Sequence, residues 1–201
     1  MCTLILGFRV NDDAPLLVGA NRDESLQRPS EGPAIRERGS RRVLAPLDRR
    51  AKGTWLGLND AGVFAGITNR FGPPTDFERR SRGELVFEAL EEDSARRAAA
   101  RLDGLAAGDY NAFHLVVADA ESAHVVVSDG GRLSTTPLPP GFAVVTERSY
   151  GAADNPRKRR VIRELYELRE TGEVGLEAFE RILSEKKAGS IDAVCVDLGE
   201  I

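Results

Sequence analysis

Cysteine and histidine are nearly missing from this chain. Its 201 residues hold two of each, with one methionine and one tryptophan. Cys2 and Cys195 stand far apart, so neither a disulfide framework nor a zinc-ligand spacing can be written. His114 and His124 are too few to furnish a metal centre or a Ser-His-Asp triad. No apolar run approaches the roughly 20 residues of a membrane helix. The first residues lack the basic region and apolar stretch of a secretory signal. Few cysteines and no leader make a reducing cytoplasm the expected compartment. A basic surplus is also missing: 28 Lys and Arg face 32 Asp and Glu, for a net charge of −4. Nucleic acid, which needs a basic face, is a poor partner for such a chain. No cofactor is expected.

What is present suits a packed globular protein. Hydrophobic residues make up 41% and charged residues 30%, the balance of a chain that can bury a core. The length fits one domain over residues 1–201.

Position 2 carries the most chemistry. Removal of Met1 is expected because the next residue is small. Cys2 then bears a thiol and a free α-amine together. The thiolate is a strong nucleophile, and an amine with a reference pKa of about 7.7–8.0 is a usable base. The alternative reading of Cys2 is a small apolar residue at the start of a strand.

The pattern along the chain alternates blocks of strands and helices. Residues 2–10 and 16–20 form an expected hairpin around the Asn11–Pro15 turn, ending at Asn21-Arg22-Asp23-Glu24. Residues 25–53, rich in Arg, Pro, Gly and Ser, read as a long ordered loop. Residues 54–58 and 63–68 are short strands around Asn59-Asp60-Ala61-Gly62. Residues 81–90 and 94–105 read as helices, with Ser81 and Glu84 spaced as a capping box. Strands return at 113–118, 123–128, 132–136 and 142–146. Pro156 opens a helix that ends before Gly172. A last helix follows from Leu176, and a last strand covers 191–196 with Cys195 as a buried thiol. Such segregation predicts α+β, with two antiparallel sheets built from hairpins and helices packed outside.

Four motifs in order give a family likeness: Met1-Cys2-Thr3, Asn21-Arg22-Asp23-Glu24, Arg28-Pro29-Ser30 and Gly53-Thr54-Trp55-Leu56-Gly57. Together they resemble the NRDE family, also called the transport and Golgi organisation family. That family is similar to the cysteine-type N-terminal-nucleophile amidohydrolases that cleave bile-salt conjugates and penicillin V. The resemblance implies an αββα four-layer sandwich. It also implies that Cys2 is the nucleophile, that Asp23 contacts its amine, and that Asn69 belongs to the oxyanion hole. Their catalytic arginine falls nearest Arg22.

Two departures accompany the likeness. Related sequences have Asn where this chain has Glu147, and a carboxylate cannot donate to an oxyanion. Related proteins also continue past the position of Ile201 with a Tyr-Gly-Thr and Ser-rich segment, so a C-terminally shortened sandwich is expected.

Each candidate keeps two readings. Asp23 holds the α-ammonium or caps a turn. Arg22 binds a substrate carboxylate or is a solvated strand-end residue. Asn21 binds substrate or, like Glu24, fixes the loop. Trp55 walls an apolar pocket or lies in the core. Two functions follow. One is hydrolysis of a small C–N amide at Cys2. The other, implied by the family, is non-catalytic binding of haem or acyl-coenzyme A. In that case the Arg157-Lys158-Arg159-Arg160 run would meet phosphates, and His114 or His124 could ligate haem iron. In both cases the partner is a small molecule, with no membrane insertion.

Overall fold

The computed structural model describes residues 2–25, 27–151 and 155–185. In chain order it contains β1 (Thr3–Phe8), β2 (Leu16–Asn21), β3 (Ser30–Arg38), β4 (Arg41–Asp48), β5 (Leu56–Asn59) and β6 (Phe64–Asn69). Then come α1 (Arg82–Leu90), α2 (Ala95–Asp103), β7 (Phe113–Ala118), β8 (Ala123–Ser128), β9 (Leu133–Pro137) and β10 (Gly141–Thr146). Helices α3 (Pro156–Thr171) and α4 (Leu176–Ser184) follow. The expected strand at 191–196, with Cys195, lies outside the described residues.

The chain divides into two compact units: Met1–Glu24 with Pro140–Ile201, and Ser25–Pro139. The first holds a three-stranded antiparallel sheet in the order β10-β1-β2. Its core pairs Ile5, Leu17 and Val144 of the sheet with Val161, Leu165 and Phe179 of the helices. Gly19 is required there. A Cβ on Gly19 would stand 2.7 Å from Leu183 and 3.2 Å from the Phe179 ring. The missing side chain lets Phe179 lie against β2, where its burial contributes about 2–3 kcal/mol.

Helix α3 begins as its sequence directs. Asn155 accepts from Lys158 N–H, Pro156 takes the first turn, and Gly172 closes the helix with a left-handed φ of 75°.

The second unit is a seven-stranded antiparallel sheet, β3 through β9 in sequence order. Helices α1 and α2 cover one face. Leu85, Leu90 and Leu102 meet Val43, Leu115 and Val126 there. The expected capping box at Ser81 is not formed: Ser81 makes no side-chain cap. The Glu84 carboxylate turns instead to Arg80, 3.0 Å away, because an adjacent guanidinium outcompetes a backbone N–H for a charged acceptor.

The long loop expected at 25–53 is corrected: it contains the β3–β4 hairpin, turned at Gly39 with φ of 57°. Strand β3 is an edge strand and largely exposed, so its sequence lacks the apolar alternation that marks a half-buried strand. The α+β class with two antiparallel sheets flanked by helices is the one expected. Among the described residues no helix is long and apolar enough to cross a membrane.

Candidate functional site

Cys2 stands immediately before β1, the central strand of the three-stranded sheet. Thr3 pairs with Thr146 on one side and Asn21 on the other. The residues one step beyond these partners, Cys2, Arg22 and Glu147, therefore gather at one end of the sheet. Antiparallel register is what assembles them, since they come from three separate stretches of sequence.

The half-buried Cys2 thiol is held above its ordinary pKa. Burial is the largest cause, and the nearby Asp23 carboxylate adds to it. The backbone N–H of Asp23, which donates to the sulfur, and the Arg22 guanidinium pull in the other direction without prevailing. A thiol so placed is mostly protonated near neutrality and needs a base before it can attack. Arg22 lies 3.7 Å from the Glu24 carboxylate. The Asn21 amide donates to the Leu183 carbonyl at 2.7 Å, tying β2 to α4.

Cys2, Arg22 and Asp23 are thus brought together within one unit. Asn69 and Trp55 belong to the second unit. Asn69 is the exposed last residue of β6, opposite Phe113 in register. Trp55 is half-buried before β5, and its carbonyl accepts from Ile67 N–H at 2.8 Å. His114 is fully buried, with Nδ1 3.4 Å from Thr68 Oγ1. His124 is partly buried on β8, and burial first, then Arg96, lowers its pKa.

The basic run at 157–160 is engaged inside the first unit instead of forming an open anion surface. Arg157 is only 2% exposed; its Nη1 lies 3.3 Å from Thr3 Oγ1 and 3.9 Å from Glu147 Oε2. Lys158 sits over the Tyr150 ring, 5.0 Å from its centroid, and burial lowers its pKa. Arg160 pairs with Glu185. A buried cation in the first turn of a helix opposes the helix dipole. The carboxylate of Glu147 supplies the compensation for Arg157.

Sequence reasoning missed this Thr3–Glu147–Arg157 cluster as a unit. It is braced from the helix: Asn155 donates through Nδ2 to Thr146 Oγ1 while its Oδ1 caps α3. Ser149 Oγ accepts from Thr146 N–H at 3.0 Å. The Asn155-Pro156 start signal was the one available clue, because it places residue 157 in the first turn next to the strand it follows.

The fold defined by these elements is α+β, with two antiparallel sheets flanked by helices, and it resembles that of N-terminal-nucleophile hydrolases. A Caenorhabditis elegans ortholog of N-acylethanolamine-hydrolyzing acid amidase superposes with a TM-score of 0.68 at 15% identity, covering 92% of this chain and 86% of that one. Penicillin V acylase from Agrobacterium tumefaciens superposes with a TM-score of 0.50 at 13% identity, over 85% of this chain and 65% of that one. At such identities the likeness is one of fold.

Sequence places the chain more narrowly. The family model for Transport and Golgi organisation 2 matches residues 1–192, and the chain belongs to that family. It is 33% identical over 144 residues to the Transport and Golgi organization protein 2 homolog of Homo sapiens, covering 69% of this chain and 50% of that protein. The chain spans about half the length of the curated relatives it matches.

Proposed function

We propose that this protein is a hydrolase of a small C–N amide and that Cys2 is its nucleophile. The observation that carries the reading is the position of Cys2. It leads the central strand of its sheet, with its thiol accepting from Asp23 N–H and Arg22 alongside. The hydrolase-like fold supports it; the thiol, which burial holds above its ordinary pKa, must give up its proton to a base at the same place.

After removal of Met1 the α-amine of Cys2 takes the thiol proton as the sulfur attacks the substrate carbonyl. The tetrahedral intermediate collapses, and the same proton leaves with the amine product. The resulting thioester is hydrolysed by water, with the α-amine acting again as base, to release the acid and restore the thiol. Asp23 orients the α-ammonium. Arg22 binds a polar group of the substrate. Asn21 acts from a distance by holding β2 against α4.

Intact mass and an amide-substrate screen test the reading together. The expected result is loss of Met1 and a turnover present in the native protein and absent from Cys2→Ala. A retained Met1, or equal turnover in both proteins, overturns it.

A further inference from the structure

One carboxylate at the Cys2 end of the sheet has an acceptor left over. Glu147 follows β10, and its side chain is 14% exposed. Its Oε2 atom is buried and accepts no hydrogen bond among the described residues. The cations around it stand back: Arg157 Nη1 is 3.9 Å from Oε2, and Arg148 Nε is 3.9 Å from Oε1. Both distances exceed a hydrogen bond. The guanidinium groups therefore offset the charge of the buried carboxylate without occupying the Oε2 lone pairs. A buried oxygen left in that condition costs stability. It is a place prepared for a donor that the described residues do not supply.

Register locates this acceptor relative to the thiol. Thr3 and Thr146 are direct partners across β1 and β10. Cys2 and Glu147 lie just outside those two strands at the same end: Cys2 precedes β1, and Glu147 opens the turn after β10. Arg157 also reaches both Thr3 and Glu147, which fixes the two strand ends to one guanidinium.

We propose that Glu147 is a specificity-determining residue of the Cys2 site and that it accepts from a nitrogen donor on the substrate. The proposal rests on Cys2 being the reacting residue. It names the substrate class: amides that present an N–H, amine or ammonium beside the carbonyl under attack. A carboxylate accepts and does not donate, so the substrate carbonyl oxygen turns away from Glu147 and the N–H side turns toward it. Tertiary amides, and substrates with an anionic group at that position, are disfavoured.

The test uses Cys2 alkylation, which forms one C–S bond and expels iodide, and needs no turnover. Iodoacetamide, which carries N–H donors, is compared with its N,N-dimethyl form, which carries none. The protein is the full chain with Cys195→Ala, so that the label reports Cys2. The ratio of the two rates is expected to exceed that of the same chain in denaturant by about tenfold, the worth of one hydrogen bond to a charged group. Glu147→Leu, which keeps bulk and removes the acceptor, is expected to return the ratio to the denatured value.

A native ratio equal to the denatured one overturns the proposal without any variant. So does a Leu variant with an unchanged ratio. Cys2-dependent turnover with an unchanged ratio removes the role of Glu147 alone. A shifted ratio with no amide turned over keeps Glu147 as a recognition residue and removes the hydrolase.

Discussion

Asn59 makes the most demanding structural prediction. Its Oδ1 accepts from Ala61 N–H at 3.0 Å and Val63 N–H at 2.8 Å, closing the β5–β6 turn. Its Nδ2 donates to the Leu90 carbonyl at 2.9 Å and the Glu92 carbonyl at 2.7 Å, where α1 ends. The residue is 5% exposed. All four hydrogen-bonding capacities of the amide are used, so one side chain fastens a hairpin to a helix terminus. At about 1 kcal/mol net for each bond, Asn59→Ala costs on the order of 4 kcal/mol. In a chain of this length that lowers Tm by roughly 8–16 °C.

Asn59→Asp separates hydrogen bonding from packing. The shape is kept and the two accepted bonds survive, but both donors become acceptors facing carbonyl oxygens. The new carboxyl is therefore driven above the ordinary value of about 3.9 in the folded state. A raised carboxyl pKa makes the folded state bind more protons than the unfolded one. The variant is then closest to wild type below the unfolded pKa. It loses stability as pH rises through the folded pKa, and its deficit levels off above that. Urea unfolding of both variants from acid to neutral pH reads this directly. A deficit for Asn59→Asp that does not change with pH refutes the donor assignment. A cost under about 1 kcal/mol for Asn59→Ala refutes the four-bond reading.

Two further outcomes follow from other fixed points of the second unit. Burial raises the Asp119 carboxyl, but N–H donation from Ala95, Ser122 and Glu121 outweighs it and holds the pKa below its usual range. Its stabilisation is therefore full above the unfolded value of about 3.9 and is lost as pH falls through the folded value. Asp119→Asn sets an amide N–H against the Ala95 N–H or gives up that bond, costing about 1–3 kcal/mol near neutrality. Urea midpoints of the two proteins should converge in acid; parallel curves would refute the assignment. Gly53 has no room for a methyl group: a Cβ there would stand 2.6 Å from the Gly83 carbonyl carbon and 2.7 Å from its Cα. Because backbone cannot swing aside, Gly53→Ala is expected to cost about 1–3 kcal/mol or more, and a melting temperature equal to wild type would show that the two segments separate freely.

The parts of the fold written in local chemistry were legible before the structure. The Asn59–Gly62 turn, the Asn155-Pro156 start and the Gly172 stop all act through their own or adjacent backbone, so sequence carries them. The β3–β4 hairpin was not legible, because an exposed edge strand such as Ser30–Arg38 is held by its ladder to β4 and not by an apolar stripe. Ser81 and Glu84 fit a pattern, yet Arg80 changed the outcome by offering Glu84 a stronger partner. Composition gives no access to that competition, since it depends on where Arg80 points.

The candidate site divides along the same line. Cys2 and the Asn21–Glu24 segment stood out because a small residue after Met1 and four polar residues at a strand end are local features. The Glu147–Arg157 pair did not, because its meaning lies in register: Thr146 must oppose Thr3 before Glu147 and Cys2 fall at the same end of the sheet. Read alone, residue 157 opens a basic run at a helix start, where a cation is disfavoured. Its burial against Thr3 and Glu147 turns that local penalty into information. A helix start tolerates a buried guanidinium when a carboxylate is held nearby, and here that carboxylate keeps one acceptor open. That open acceptor is what gives the proposed Cys2 site its preference, for substrates that bring a nitrogen donor.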